Sequence, residues 1–337
     1  MSEATELKAT LLSLGAIHVP SGTRLGVYPD RSVSGPDSSG RWVFFDINGE
    51  LVKLKIVRDP GCRAHLRGDQ APFDIMLDGK VAATDVNTLK TIYHAPGQAF
   101  VSLGNGCRFH CAFCTLHQNK ANPAVDRDAI WWVKFILKGA RREDCHSVAV
   151  TGGVEGELAD HVQMMTEVVK DVRAELPDIP IGVEPYLESP DDVERLKRAG
   201  ATEIKLNLET ATPELFETVC PELDRDAIWR CLERSVEVFG RGRVSSNIIF
   251  GLGETDEDVL DMATRLARMG VAANLRALRV NAINRTALKS ALGKDPYQPD
   301  AERMIRLAHV GSRILQVHNI SRDGFYTMCH RCRGCDL

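Results

Sequence analysis

The chain has 337 residues, 44% hydrophobic and 26% charged, with a formal net charge of −4. That excludes a disordered chain, leaves ample apolar material for a core, and offers no basic field for nucleic acid. Apolar runs stop far short of the ~18 residues of a membrane span, and the opening MSEATELKATLLSLG lacks a leader's apolar stretch. A cytoplasmic chain is expected, without nucleic-acid or membrane partners. In that reducing setting the ten cysteines read as metal or redox groups rather than disulfides.

Residues 1–97 read as a small α+β cap. A helix is expected over 3–14, followed by the Ser-, Gly- and Pro-rich loop SGPDSSG at 34–40. Two hairpins follow. RWVFFDI and ELVKLKIV flank Asn48-Gly49, and FDIML and KVAATDV flank Asp78-Gly79. Asn-Gly and Asp-Gly supply the two positive φ angles of a type I′ turn.

From about residue 98 the pattern becomes strand then helix. Strands are predicted at 99–103, 147–152, 180–186, 202–208, 244–251 and 274–282, and helices near 126–139, 158–175, 190–199, 224–239 and 255–269. In the last of these, Val259, Met262, Ala263 and Leu266 fall on one face. A Pro-containing break over 295–300 precedes one more helix, to about 316. Alternating strands and helices imply parallel pairing with right-handed crossovers. Six units over 98–320 make either a doubly wound sheet or a barrel, partial or full.

Chemistry concentrates just beyond the first of these strands, in LGNGCRFHCAFCTLH. Cys107, Cys111 and Cys114 follow an x3, x2 spacing. Ligands bind at that end of parallel strands. Three thiolates from one loop suit an iron–sulfur cluster, and in a four-iron cluster they leave one iron open. Zinc with His110 or His117 as fourth ligand is the bland alternative.

Further motifs follow in order. The second strand ends Thr151-Gly152-Gly153-Val154-Glu155, where glycines permit close approach of a ligand. Glu184 ends the third strand and faces either a ligand or an arginine partner. On the fourth, Asn207 and Glu209 alternate with Leu206 and Leu208 and share a face, which suits a ribose diol. The fifth reads Asn247-Ile248-Ile249-Phe250-Gly251-Leu252-Gly253-Glu254-Thr255. Its Thr255-Asp256-Glu257-Asp258 also reads as an acidic helix start, giving Glu254 a structural alternative.

This ordered set resembles the radical S-adenosylmethionine (radical SAM) superfamily, and biotin and lipoyl synthases within it, over roughly residues 98–290. The resemblance implies an α/β fold of the radical SAM (β/α) barrel type, partial or full. It implies a [4Fe–4S] cluster on Cys107, Cys111 and Cys114 whose open iron chelates S-adenosylmethionine. One electron from a reductant such as ferredoxin or flavodoxin then releases methionine and a 5′-deoxyadenosyl radical. It places Phe113 and Ile249 with Gly251 near the adenine, and Gly152, Gly153 and Glu155 near the methionine ammonium. Asn207 and Glu209 fall to the ribose, and Arg230, beside Arg225 and Arg234, to the methionine carboxylate. Two departures stand out: Val154 is inserted before Glu155, and Asn247 replaces a glycine.

The tail, residues 321–337, ends FYTMCHRCRGCDL. Cys329, Cys332 and Cys335 form a second thiolate group, read as an auxiliary iron–sulfur cluster of the [4Fe–4S] type. Cys62, in a Pro-Gly-Cys turn, is the candidate fourth ligand, and zinc with His330 is the alternative. The tail is expected to fold back over the barrel mouth. The resemblance points to sulfur insertion at unactivated C–H bonds, most like the two-protein lipoyl synthases. The implied partners are then an octanoylated lipoyl carrier protein and a second radical SAM protein. A maturase, methyltransferase or carbon-skeleton enzyme of the same barrel type stands as alternative. So does a non-catalytic iron–sulfur electron carrier or zinc-binding module, against which the ribose pair argues.

Overall fold

A computed structural model describes residues 2–29, 40–104, 106–118 and 127–337. Most of the SGPDSSG loop, and the predicted start of a helix at 126, lie outside them. Among the described residues no helix is long and apolar enough to cross a membrane.

Helix α1 (Glu3–Leu14) opens the chain. Ser2 caps it by accepting from the Thr5 N–H, and Gly15 ends it in the left-handed region. Six strands follow: β1 (Ala16–His18), β2 (Trp42–Ile47), β3 (Glu50–Val57), β4 (Ala64–Arg67), β5 (Phe73–Leu77) and β6 (Lys80–Leu89). Both predicted hairpins form, β2–β3 and β5–β6. Asn48, Gly49, Asp78 and Gly79 all have positive φ, as the turn type requires. The strands close into a barrel in the order β1-β3-β2-β6-β5-β4. The three-residue β1 completes it by pairing in parallel with both β3 and β4. Among the described residues, closure leaves this barrel no unpaired sheet edge.

The second half alternates. Strands β7 (Gln98–Leu103), β8 (Ser147–Gly152), β9 (Ile181–Glu184), β10 (Glu203–Lys205), β11 (Val244–Phe250) and β12 (Val271–Ala277) form a parallel sheet in sequence order. A doubly wound sheet reverses its order at a switch point. This one never does, and side chains from all six strands border one cavity. The sheet therefore curls into a partial (β/α) barrel.

Helices α2 (Ala129–Ala140), α3 (Leu158–Glu175), α4 (Pro190–Ala199), α5 (Pro213–Val219), α6 (Arg225–Phe239), α7 (Asp256–Met269), α8 (Arg285–Leu292) and α9 (Ala301–Val317) accompany it, and α10 (Met328–Cys332) closes the tail. The acidic start of α7 is a capping box between Thr255 and Asp258. The sixth strand lies three residues earlier than expected. Gly270, in the left-handed region, ends α7, and Val271 enters the sheet at once. The short helices α5, α8 and α10 carry no long apolar period and were not expected.

Candidate functional site

The cavity in the sheet holds about 230 Å³. The predicted residues Phe113, Cys114, Gly152, Glu184, Asn207, Glu209, Ile249, Cys329 and Cys335 all border it. Its upper rim, at the carboxyl ends of the strands, is the cysteine loop. The Arg108 N–H donates to the Val154 carbonyl at 2.6 Å, and the Ala112 N–H to the Val219 carbonyl at 2.8 Å. Gly153 permits this seat, because a Cβ there would lie 2.8 Å from Cys107 Cβ and overlap the Gly106 carbonyl. Cys107 and Cys111 share the loop with Cys114 but do not border the cavity.

Glu155 serves the same loop. Its Oε1 accepts from the Gly106 N–H at 2.6 Å, and it lies outside the cavity lining. Gly251 also lies outside. It has φ +106°, and its N–H donates to Glu254 at 2.6 Å. The buried Glu254 takes the N–H groups of residues 251–253 and pairs with Arg303 at 2.8 Å, so its role is structural. Arg230 is not brought to the site. It is exposed, 4.0 Å from Asp224, because it sits on the outer face of α6. Cys62 also lies elsewhere, its thiol against the Ala16 carbonyl oxygen of β1 at 3.6 Å.

Burial pushes the Cys107 thiol up and the Cys114 thiol up to about 12. A metal that binds them must displace protons. Among the described residues no three His, Cys, Asp or Glu side chains close on a single ion. A four-iron cluster asks for something different, since each thiolate holds its own iron and the sulfurs stand apart. The donor set, three soft ligands on one seated loop at the strand ends, fits such a group. Of the two zinc alternatives, His110 is engaged with Glu222 at 3.0 Å and His117 meets the Gln118 amide at 3.1 Å.

The cavity wall is a polar ladder on β10 and its extension. Lys205, Asn207 and Glu209 all face inward. Asn207 donates to Glu184 Oε1 at 2.9 Å, and its own oxygen accepts from the Asn247 N–H at 3.2 Å. Asn247 in turn accepts from Asn274 at 3.0 Å. Glu209 has φ +61°, a left-handed conformation that costs a non-glycine residue about 1–2 kcal/mol. It is held there by bonds to the Asn247 carbonyl and Ile249 N–H. Burial raises its carboxyl to about 7, against the opposing pull of Lys205.

The floor was expected at the mouth and lies at the opposite end. Tail residues pack on the amino ends of the strands. Met328 N–H donates to Gln98 Oε1 at 2.6 Å, and the Tyr326 and Thr327 N–H groups donate to Glu203 at 2.9 Å. Gln98 and Glu203 are the first residues of β7 and β10. Gly182 leaves room for Thr327, with which any Cβ would collide. From below, the N-terminal barrel supports the tail. Lys53 N–H donates to the Gly334 carbonyl at 2.7 Å, and buried Lys8 donates to the Arg333 carbonyl at 2.7 Å. Cys332 packs with Phe44, Phe100 and Met328, while Cys329 and Cys335 face the cavity.

Sequence reasoning missed the cations of this floor. Lys205 is 2% exposed, 3.0 Å from Glu184 Oε1 and 3.3 Å from Cys329 Sγ. Arg276 reaches the same sulfur at 3.4 Å. Burial works against the Lys205 charge, but Cys329 and Glu184 outweigh it and hold the ammonium at about 12. His94, at the cavity wall, is pushed well down by burial and by Lys53, Arg276, Lys205 and Arg279. The alternation Glu203-Ile-Lys205-Leu-Asn207-Leu-Glu209 carried the signal, since the period that pairs Asn207 with Glu209 includes Lys205.

Comparison with known proteins bears on the fold. Residues 101–266 match the family model of the radical SAM superfamily. A lipoyl synthase of Kineococcus radiotolerans is 26% identical over 179 residues, 51% of this chain and 50% of the relative. A biotin synthase of a Hydrogenobaculum species is 31% identical over 177 residues, 49% of this chain and 50% of the relative. The chain thus spans about half the length of the curated relatives it matches. The crystal structure of methylornithine synthase superposes with a TM-score of 0.53 at 16% identity, covering 71% of this chain and 69% of that one, a likeness of fold. The N-terminal barrel and the tail both lie outside the matched range. Residues 101–266 thus carry a match to the radical SAM superfamily, and the chain is similar there to biotin and lipoyl synthases.

Proposed function

We propose that the chain is a radical SAM enzyme with two iron–sulfur sites, and that it inserts sulfur into an unactivated acyl chain. The observation that carries this reading is that Cys114 and the pair Cys329 and Cys335 border one cavity. Cys107, Cys111 and Cys114 would hold the first cluster. When bound, it supplies the electron that cleaves S-adenosylmethionine to methionine and a 5′-deoxyadenosyl radical. Asn207, Glu209 and Glu184 bind and orient the nucleotide, with Phe113 and Ile249 at the base. Gly152 lets the ligand approach the backbone.

Cys329, Cys332 and Cys335 would hold the second cluster. Its support is electrostatic. Lys205 and Arg276 lie 3.3 and 3.4 Å from Cys329 Sγ, and a cation beside a sulfur favours the thiolate form that binds metal. The tail and N-terminal barrel exclude water from below, which protects a radical intermediate. A one-electron donor such as ferredoxin or flavodoxin, an octanoylated carrier protein and a second radical SAM protein complete the reading, in the cytoplasm.

One observation favours a second reading. The cavity wall carries Lys205, Arg276, Arg279, Glu184 and Glu209, whereas an octanoyl chain asks for apolar walls. A maturase, methyltransferase or carbon-skeleton enzyme acting on a small charged substrate fits that wall. The experiment is Cys332→Ala under anoxia with dithionite. Sulfur insertion predicts continued formation of 5′-deoxyadenosine without a carbon–sulfur product on octanoylated carrier. Wild-type protein rebuilt with labelled sulfide should place the label in that product. A thiolated product without label rejects the sulfur-donor role, and zinc in the tail rejects the second cluster.

A further inference from the structure

An unbroken polar chain runs from Cys329 in the tail to the wall that carries Glu184 and Asn207. Cys329 Sγ meets Lys205 Nζ at 3.3 Å. Lys205 Nζ meets Glu184 Oε1 at 3.0 Å, and Asn207 Nδ2 donates to that same oxygen at 2.9 Å. Asn207 Oδ1 is in turn fixed by the Asn247 N–H at 3.2 Å. We propose that Lys205 is a positioning residue that couples the nucleotide end of the cavity to the tail, so that each end is bound more tightly when the other is in place. This rests on the two-site reading above.

The physical argument is one of shared partners. Lys205 is 2% exposed, so water does not replace a lost contact. Its two named partners belong to different sites, Glu184 at the nucleotide wall and Cys329 at the floor. Glu184 Oε1 is shared by Lys205 and Asn207, and a ligand that turns either donor changes what the oxygen gives the other. Removing Cys329 leaves the ammonium leaning wholly on Glu184, which draws that carboxylate from the ribose side. Coupling of this kind is reciprocal. The contacts of Lys205 Nζ are to Glu184 and Cys329 rather than to the first cysteine group, so its role is to hold geometry.

The test is a thermodynamic cycle on S-adenosylmethionine affinity, measured by anoxic equilibrium dialysis of the full chain with iron content recorded for each sample. Cys329→Ser in otherwise unchanged protein should weaken binding on the order of tenfold, within the usual span of coupling between sites. In a Lys205→Met background the same Cys329→Ser change should have no further effect, and Lys205→Arg should recover part of it. Effects of Lys205→Met and Cys329→Ser that simply multiply would overturn the proposal, as would a Cys329→Ser effect below about twofold. If Lys205→Met does not fold, judged by circular dichroism, the cycle is run with Glu184→Gln, which breaks the chain at its next link and is read in the same way. Absence of any nucleotide binding by the iron-loaded wild type would instead sink the radical SAM reading itself, a separate outcome.

Discussion

The two cysteine groups reach one cavity by opposite constructions. Cys107, Cys111 and Cys114 come from a single loop at the carboxyl end of β7, seated by neighbours near in the fold, such as Gly153 and Glu155. Cys329 and Cys335 arrive at the amino ends of the strands on a tail held by Gln98 and Glu203, and by Lys8 and Lys53 from the N-terminal barrel. The first group sits within the matched range 101–266, and the second lies outside it together with the barrel that supports it. The part matched by relatives is thus the end that carries the first cysteine loop, while the tail and the barrel beneath it lie outside that match.

Breaking the upper group should have the largest effect. Replacing Cys107, Cys111 and Cys114 with Ala should remove about four irons per chain, one cubane cluster. Formation of 5′-deoxyadenosine under dithionite should fall to background, and persistent formation would contradict the assignment. Next comes the anchor of the floor. Glu203→Ala strips the carboxylate from the Tyr326 and Thr327 N–H groups and leaves Arg243 without it. Urea denaturation should show a loss of about 3 kcal/mol, typical when one member of a buried charged set is removed, with the tail more open to protease than the loop.

A smaller change is expected at the wall. Asn207→Ala should retain iron and weaken S-adenosylmethionine binding about 10-fold, the scale of one or two lost buried hydrogen bonds. Unchanged affinity would remove the ribose role. The smallest effect is a pH slope. The Glu209 carboxyl is raised to about 7, so it becomes a full acceptor for ribose hydroxyls only as pH rises through that value. Affinity should increase from pH 6 to 8, and Glu209→Gln should flatten the profile. The sign for stability is opposite. A carboxyl whose folded-state value is raised stabilises fully below its ordinary value, and that contribution falls as pH rises to about 7. Glu209→Gln should therefore reduce the decline in stability across that window.

Legibility in the sequence followed locality. The Asn48-Gly49 and Asp78-Gly79 hairpins, α3 and α4 were readable because turn chemistry and apolar period are local signals. The face shared by Asn207 and Glu209 was readable for the same reason. Lys205 lay on that face two residues earlier, but a lysine on a strand reads as solvent-facing until the opposite wall is known. Arg230 is exposed, and position along a helix does not tell which way any of Arg225, Arg230 and Arg234 turns. Closure of the N-terminal barrel depends on a strand of three residues, β1, too short for any pattern. The direction of the tail depends on Gln98, 230 residues away.

That separation has a consequence for how the molecule comes together. Contacts between residues 230 apart, and the Lys8–Arg333 contact 325 apart, are entropically costly to close and reward the chain only after the intervening structure exists. The curled sheet and the six-stranded barrel each draw on near neighbours and can form first. Glu203 and Gln98 take their partners in the tail only once it is docked. Cys329, Cys332 and Cys335 travel with that tail, so all three reach the floor only when residues 325–337 dock against Gln98 and Glu203.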